Sequence, residues 1–419
     1  LKSTRNYHLL LAGQFLGAFG DNFLLAAILG PLTYQLNAGT ITEQFINQQN
    51  VVFSAVFFIP FIFLAPLAGW LNDRLPKNQW LRRGNALKFL GTCVGLFGLW
   101  QHAGDFHASR EWQLAGYAVV AIGACVYSPA KYGILPEILP AERLVKANGT
   151  VEMLTLVAIL GGYGGGAVLY DQTRSLTACY AASLALYAVA FVLNFLMDRT
   201  PCNPASSFRH SLGEFGGSLR HLLAHPRLGR VLLGCGLFWF AGATLRNNLQ
   251  AWGLEVFHQA GITGVTNLKL KLLLVGLVLG IVAGSMLAGQ LHKIGDLSWS
   301  RRYGFLMSLA VLFLGLLGGQ FGLIPVVVAL IATGVFAGLL IVPFNATLQH
   351  ESDQTKLGKT IAIQNFVDYL AMLIGAGFLG VLTKFGFSSL QVFLALPVAL
   401  ALISLALRMP AEKTDPDST

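Results

Sequence analysis

Two ionisable side chains stand inside long apolar runs of this chain, at matching places. Asp21 lies in Gly17-Ala18-Phe19-Gly20-Asp21-Asn22 and Arg246 in Gly242-Ala243-Thr244-Leu245-Arg246-Asn247. The two segments align residue for residue, 225 positions apart. A charge at the centre of a membrane helix costs about 2.5–3.5 kcal/mol on insertion scales. Such a residue persists where it pairs, lines a wet cavity or handles a charged solute. An acid and a base at equivalent spots predict an Asp21–Arg246 pair that closes a gate, with a charged solute competing for its members. Gln14, one to two turns from Asp21, and the neighbouring Asn22 and Asn247 extend a polar stripe.

A second set of polar residues lies nearer one end of the helices. Lys131 follows Pro129, and Asn345 follows Pro343 in the corresponding run of the other repeat. Glu152 and Asp368 occupy similar places in Asn148-Gly149-Thr150-Val151-Glu152 and Gln364-Asn365-Phe366-Val367-Asp368. Lys88, Lys131 and Lys146 are the cations expected to pair with these two acids as gate contacts. Gln364 and Asn365 join the candidate solute-binding set. The histidines form no HxxH or HExxH spacing, and no G-x-S-x-G elbow or HxxxxD pair occurs. No catalytic residue, metal site or cofactor is expected.

Membrane helices must carry these side chains. Hydrophobic residues make up 55% of the chain and charged residues 11%, with a mean hydropathy of +0.63. A soluble domain is nearer 25% charged, and a bilayer core needs roughly 20 apolar residues per helix. Continuous apolar runs, without in–out alternation, argue against a barrel. Twelve spans are expected, near 8–36, 48–71, 84–101, 112–135, 146–169, 176–197, 228–257, 267–291, 301–319, 322–345, 358–383 and 388–408. The fold class is an all-α integral membrane protein.

The net charge of +9 is not spread evenly. With both termini cytoplasmic, the inside loops hold most of the Lys and Arg, including Arg74, Lys77, Arg82 and Arg83 after span 2, and Arg199, Arg209, Arg220, Arg227 and Arg230 after span 6. This is the positive-inside pattern, so nucleic acid is not an expected partner. The five cysteines are scattered without CxxC spacing and read as small packing residues.

The chain divides into two six-helix halves, 1–197 and 228–408, joined by a polar interdomain linker at 198–227 and ending in a short cytoplasmic tail at 409–419. Residues 211–223 of the linker are expected to form an amphipathic surface helix. Beside the Asp21/Arg246 match, Pro129 pairs with Pro343 and Glu137 with Glu351. Two parallel six-span repeats are the major facilitator plan. Between spans 2 and 3, Gly69-Trp70-Leu71-Asn72-Asp73-Arg74-Leu75-Pro76-Lys77 resembles that superfamily's G-x-x-x-D-R-x-G-x-K/R loop. By that resemblance Asp73, beside Arg74, meets a helix N-terminus across the cytoplasmic face and latches the outward-open state. The glycine runs at 161–166 and at Gly276, Gly280 and Gly284 are small-residue faces, expected where spans 5 and 8 slide past each other.

The runs Gln14-Phe15-Leu16-Gly17-Ala18-Phe19-Gly20-Asp21-Asn22, Tyr127-Ser128-Pro129-Ala130-Lys131-Tyr132-Gly133-Ile134-Leu135, Thr244-Leu245-Arg246, Val342-Pro343-Phe344-Asn345-Ala346-Thr347-Leu348-Gln349 and Ala362-Ile363-Gln364-Asn365 closely resemble motifs of the bacterial lysophospholipid transporters. The matches run in order through both halves. The resemblance implies a flippase of the bacterial inner membrane, moving lysophosphatidylethanolamine and related lysolipids from the outer to the inner leaflet. It also implies reacylation of the product by an acyltransferase/acyl carrier protein synthetase. Arg246 would hold the phosphate bidentately and Asp21 the amine, while the tail stays in hydrocarbon beside a laterally open polar groove. One departure is Asp368, where the family motif has Glu. Membrane lipids are the remaining partners, and by analogy with other facilitators the chain is expected to be a monomer. The alternative readings are a proton-coupled carrier of a soluble amphiphile or drug, with Asp21 as the proton site, and a non-transporting membrane scaffold.

Overall fold

The computed structural model describes residues 4–37, 39–41, 43–202, 208–262, 267–318 and 320–409. Residues 203–207 of the linker and 410–419 of the tail expected above lie outside these. Every regular element among the described residues is helical, as a lipid-facing chain requires, since only a helix satisfies its own backbone polar groups within one segment.

The helices sort into two compact units. The first comprises Leu1–Phe215 and Ser352–Tyr369. Its elements are α1 (Thr4–Asn37), α2 (Glu43–Phe63), α3 (Ala65–Arg74), α4 (Lys77–Gln101), α5 (Arg110–Gly133), the short α6 (Leu135–Ile138), α7 (Leu144–Thr173) and α8 (Leu176–Phe195). Helix α9 (Phe208–Ala224) begins here, in the part of the linker where a helix is expected. The second unit, Gly216–Glu351 with Leu370–Thr419, holds α10 (Leu228–Gln259), α11 (Asn267–Leu291), α12 (Ser300–Leu317), α13 (Leu323–Glu351) and α15 (Ser389–Ala406). Helix α14 (Leu357–Lys384) contributes its first turns to the first unit and the rest to the second.

Ten of these helices are long and apolar enough to cross a membrane, and α2 with α3 makes an eleventh as one span bent by 57°. The bend follows from Pro66, in the first turn of α3, which cannot donate to the carbonyl of Ile62 and crowds it. The span expected at 84–101 is helical within α4 but less apolar than its neighbours, because it carries Asn85 and Lys88. Both are buried, at 0% and 2% exposure, so the polarity of α4 faces protein rather than lipid.

Two glycine faces bring helices into backbone contact inside each unit. A Cβ on Gly162 or Gly166 of α7 would come within 2.3 or 2.2 Å of the Phe19 or Phe23 carbonyl oxygen of α1. On α11, a Cβ on Gly280 or Gly284 would lie 2.1 Å from the Ile331 or Val335 carbonyl oxygen of α13. These positions therefore seat α7 on α1 and α11 on α13, rather than forming the sliding faces expected from the sequence. The reason is reach: only a hydrogen at Cα lets two helices approach this closely.

Candidate functional site

Asp21 is drawn into the interior of the first unit by the glycines that precede it. A Cβ on Gly20 would meet the Tyr187 ring at 2.8 Å, and one on Gly17 would meet Asn85 Oδ1 at 3.3 Å. Glycine at both places lets α1 lie flat on α4 and α8, and the next residue carries its carboxylate between them. Lys88 Nζ of α4 donates to Asp21 Oδ2 at 2.7 Å, and Tyr187 Oη of α8 donates to Oδ1 at 2.9 Å. The ammonium also lies 5.1 Å from the centre of the Tyr127 ring. Asp21 is 8% exposed.

This corrects one expectation: within the first unit, Lys88 is the partner of Asp21 rather than of Glu152 or Asp368. A buried carboxylate needs a cation in direct contact, and α4, packed against α1, supplies one. Tyr187, Tyr127 and the buried Asn85 complete the surroundings. Sequence reasoning missed all three, though the Gly17/Gly20 spacing directly before Asp21 signals close approach by another helix.

The remaining candidates in this unit separate into small groups. Gln14 Oε1 accepts from the Thr155 hydroxyl of α7 at 3.1 Å. Asn22 spends its amide on the Ala18 carbonyl, 2.9 Å away and one turn back on its own helix. Tyr132 Oη donates to Glu152 Oε2 at 3.2 Å, and Lys131 Nζ lies 4.4 Å from the centre of that same ring. Asn365 Nδ2 donates to the Ser128 hydroxyl at 3.0 Å. Gln364 and Asp368, on the same turns of α14, are buried.

At the end of the unit that carries the basic loop, Asp73 accepts from the backbone amides of Gly358 at 2.6 Å and Lys359 at 3.1 Å. Its carboxylate thus covers the first turn of α14, where unpaired N–H groups and the helix dipole favour negative charge. Arg74 lies over the Trp70 ring at 5.4 Å. Lys359 reaches Glu214 of α9 at 3.3 Å. Just before α14, Asp353 caps a short 3-10 turn, and the Thr355 hydroxyl and then its amide hold that carboxyl below the ordinary range.

The repeat-related acids each bind a cation. Lys77 pairs with Glu137 at 2.5 Å in the first unit. In the second, Arg227 grips Glu351 at 2.8 Å and donates to the Gly295 carbonyl at 2.6 Å. Higher on α10, Thr244 donates to the Phe240 and Gly375 carbonyls, and Asn248 to the Ser389 carbonyl at 2.9 Å. Arg246 and Asn247 project from a different side of that helix and are exposed. Asn345 of α13 is buried and accepts from the Cys235 thiol at 3.7 Å.

The chain is similar to known proteins along most of its length. The profile of the Major Facilitator Superfamily matches residues 10–294. The lysophospholipid transporter LplT of Photorhabdus laumondii is 33% identical over 391 residues, which is 91% of this chain and 90% of that protein. The LplT of Cronobacter sakazakii is 35% identical over 401 residues, covering 94% and 91%. Among solved structures, the human organic anion transporter MFSD10 superposes with a TM-score of 0.76 over 96% of this chain and 99% of its own, at 16% identity. The E. coli fucose:proton symporter FucP gives 0.71 over 97% and 99%, also at 16% identity. Those two likenesses speak for the fold, and the LplT relatives for the branch within it. With its paired membrane charges and helix-capping Asp73, the chain belongs to the major facilitator superfamily and, within it, to the LplT-like transporters.

Proposed function

We propose that this chain is a lysophospholipid flippase of the bacterial inner membrane. It moves lysophosphatidylethanolamine and related lysolipids from the outer to the inner leaflet, where an acyltransferase reacylates them. Both termini lie on the cytoplasmic side, and the chain works as a monomer. Transport proceeds by alternating access, with the lipid tail left in hydrocarbon beside a polar groove.

The observation that carries this reading is the identity of 33–35% to LplT proteins along about nine-tenths of both chains. The chemistry supports it. Arg246 presents an exposed guanidinium midway along α10, suited to a bidentate grip on a phosphate. Asp21, Lys88, Gln14, Asn22 and Lys131 supply polar groups on the long helices of the first unit. Glu152, Asp368, Gln364, Asn365, Asn345 and Asn247 extend that set. Asp73, at the foot of α14, is the latch.

The test is uptake of lysophosphatidylethanolamine into proteoliposomes, followed by albumin to strip lipid left outside. The native chain should protect lysolipid well above empty vesicles. Arg246→Ala should lose that protection, and Arg246→Lys should keep only part of it, because an ammonium cannot bind a phosphate at two points. A native sample that inserts correctly yet protects no more than empty vesicles would overturn the reading.

A further inference from the structure

At the end of the first unit remote from Asp73, a cavity of about 360 Å³ opens among the last turns of α1 and α7, the α4–α5 loop and the start of α8. Gln35, Asp105, His107, Tyr170 and Arg174 line it. Its backbone is unusual. Among the described residues, only Ala103 and Arg174 are non-glycine with positive φ, at 50° and 52°. Ala103 directly precedes Gly104, itself a lining residue, so both flank the same cavity. Left-handed backbone costs an L-residue roughly 1–2 kcal/mol, and helices ending in this geometry usually place glycine there. Arg174 closes α7 by donating its amide to the Tyr170 carbonyl at 2.7 Å, a task glycine performs with less strain. What arginine adds is its side chain.

That side chain is loosely held. The guanidinium lies 4.3 Å from the centre of the Tyr34 ring and reaches Asp171 at 3.4 Å, with half of its surface exposed. Across the cavity, Asp105 Oδ1 accepts from the amides of His107 and Ala108, which fixes an exposed carboxylate in the loop. His107 Nε2 lies 2.9 Å from Gln35 Oε1. The cavity therefore offers a displaceable cation and a fixed anion together. Around this end, Tyr34, Phe97, Trp100 and Trp112 expose their rings, as aromatic residues do at the headgroup level of a bilayer.

We propose that this cavity docks the headgroup of a zwitterionic lysophospholipid from the outer leaflet before transport. The phosphate takes Arg174 from Asp171, and the ammonium faces Asp105. This rests on the lysolipid reading and outward orientation given above, and adds an entry site to them.

The test uses the full chain in nanodiscs, for binding of labelled lysophosphatidylethanolamine, and in proteoliposomes, for uptake. Arg174→Gly keeps the α7 terminus in its preferred geometry, so its melting temperature should not fall. Its dissociation constant and half-saturating concentration should rise about tenfold, with the maximal rate within about twofold of native. Asp105→Asn keeps the oxygen that the two amides use, and should weaken lysophosphatidylethanolamine but not lysophosphatidylglycerol, which has no amine. Glycerophosphoethanolamine should compete for binding better than inorganic phosphate. Native affinity in Arg174→Gly, or equal competition by inorganic phosphate, overturns the proposal. Absence of uptake by the native chain, with binding that still depends on Arg174, would instead remove the transport reading and leave the docking site.

Discussion

Asp21 and Lys88 show what the sequence reveals about single residues and what it hides. A carboxylate in an apolar run announces itself, because its insertion cost demands a partner. The partner's identity depends on which helices touch, and the eye is drawn to the repeat-related Arg246 while Lys88 sits in a run already rich in polar residues. The buried pair, with side chains 3% and 11% exposed, makes an asymmetric prediction. Removing one member leaves the other buried and uncompensated, at a cost of roughly 3–5 kcal/mol. Lys88→Met should therefore lower the thermal midpoint in detergent strongly, as should Asp21→Asn to a lesser degree, since the amide still accepts from Tyr187. The double variant should recover much of the loss. Midpoints that simply add would show that the two charges are not coupled.

At the scale of the helix, glycine patterns were legible as close-packing faces, but their partners were not, because a small-residue stripe does not encode which helix lies on it. The structure separates glycines that differ only in direction. Gly166 faces the Phe23 carbonyl, whereas a Cβ on Gly164, two residues earlier, meets nothing within 4 Å. Gly164→Ala should fold at native yield, helped by the better helix propensity of alanine, about 1 kcal/mol. Gly166→Ala should force α7 off α1 and reduce the yield of folded protein, measured by monodisperse recovery after extraction. Equal recovery of the two would mean that the α1–α7 contact contributes nothing. Helix α14 carries a second prediction. Asp73 caps its first turn through two amides, and such a cap contributes about 0.5–2 kcal/mol. Asp73→Ala should speed hydrogen exchange of the Gly358 and Lys359 amides by about tenfold, one factor of ten per 1.4 kcal/mol, while Asp73→Asn, which keeps an acceptor, should lie between. Unchanged exchange in Asp73→Ala would show the cap to be incidental.

Across the whole molecule, the two-fold repeat was readable because it fixes residue types: Glu137 and Glu351 match in sequence, and both are paired in the structure. Their cations could not be read from the repeat. Lys77 comes from the turn into α4 and Arg227 from the entry to α10, so the halves meet one electrostatic need with different elements. The same comparison bears on energy coupling. A proton-driven carrier needs a membrane carboxylate that gains and loses a proton in each cycle. Asp21 has one oxygen on Lys88 and the other on Tyr187, so both acceptor atoms are occupied while the pair is closed. Its repeat mate is Arg246, which is no carboxylate. With the Asp21 carboxylate so committed, lysolipid uptake into proteoliposomes should proceed at the same rate, within about twofold, with an inward proton gradient, an outward one or a protonophore, a tolerance well inside the ~1.4 kcal/mol of a tenfold change. Uptake that collapses when the gradient is discharged would place the driving proton on Glu152 or Asp368, the remaining buried carboxylates on α7 and α14, and charge-neutral Glu152→Gln and Asp368→Asn would then identify which one carries it.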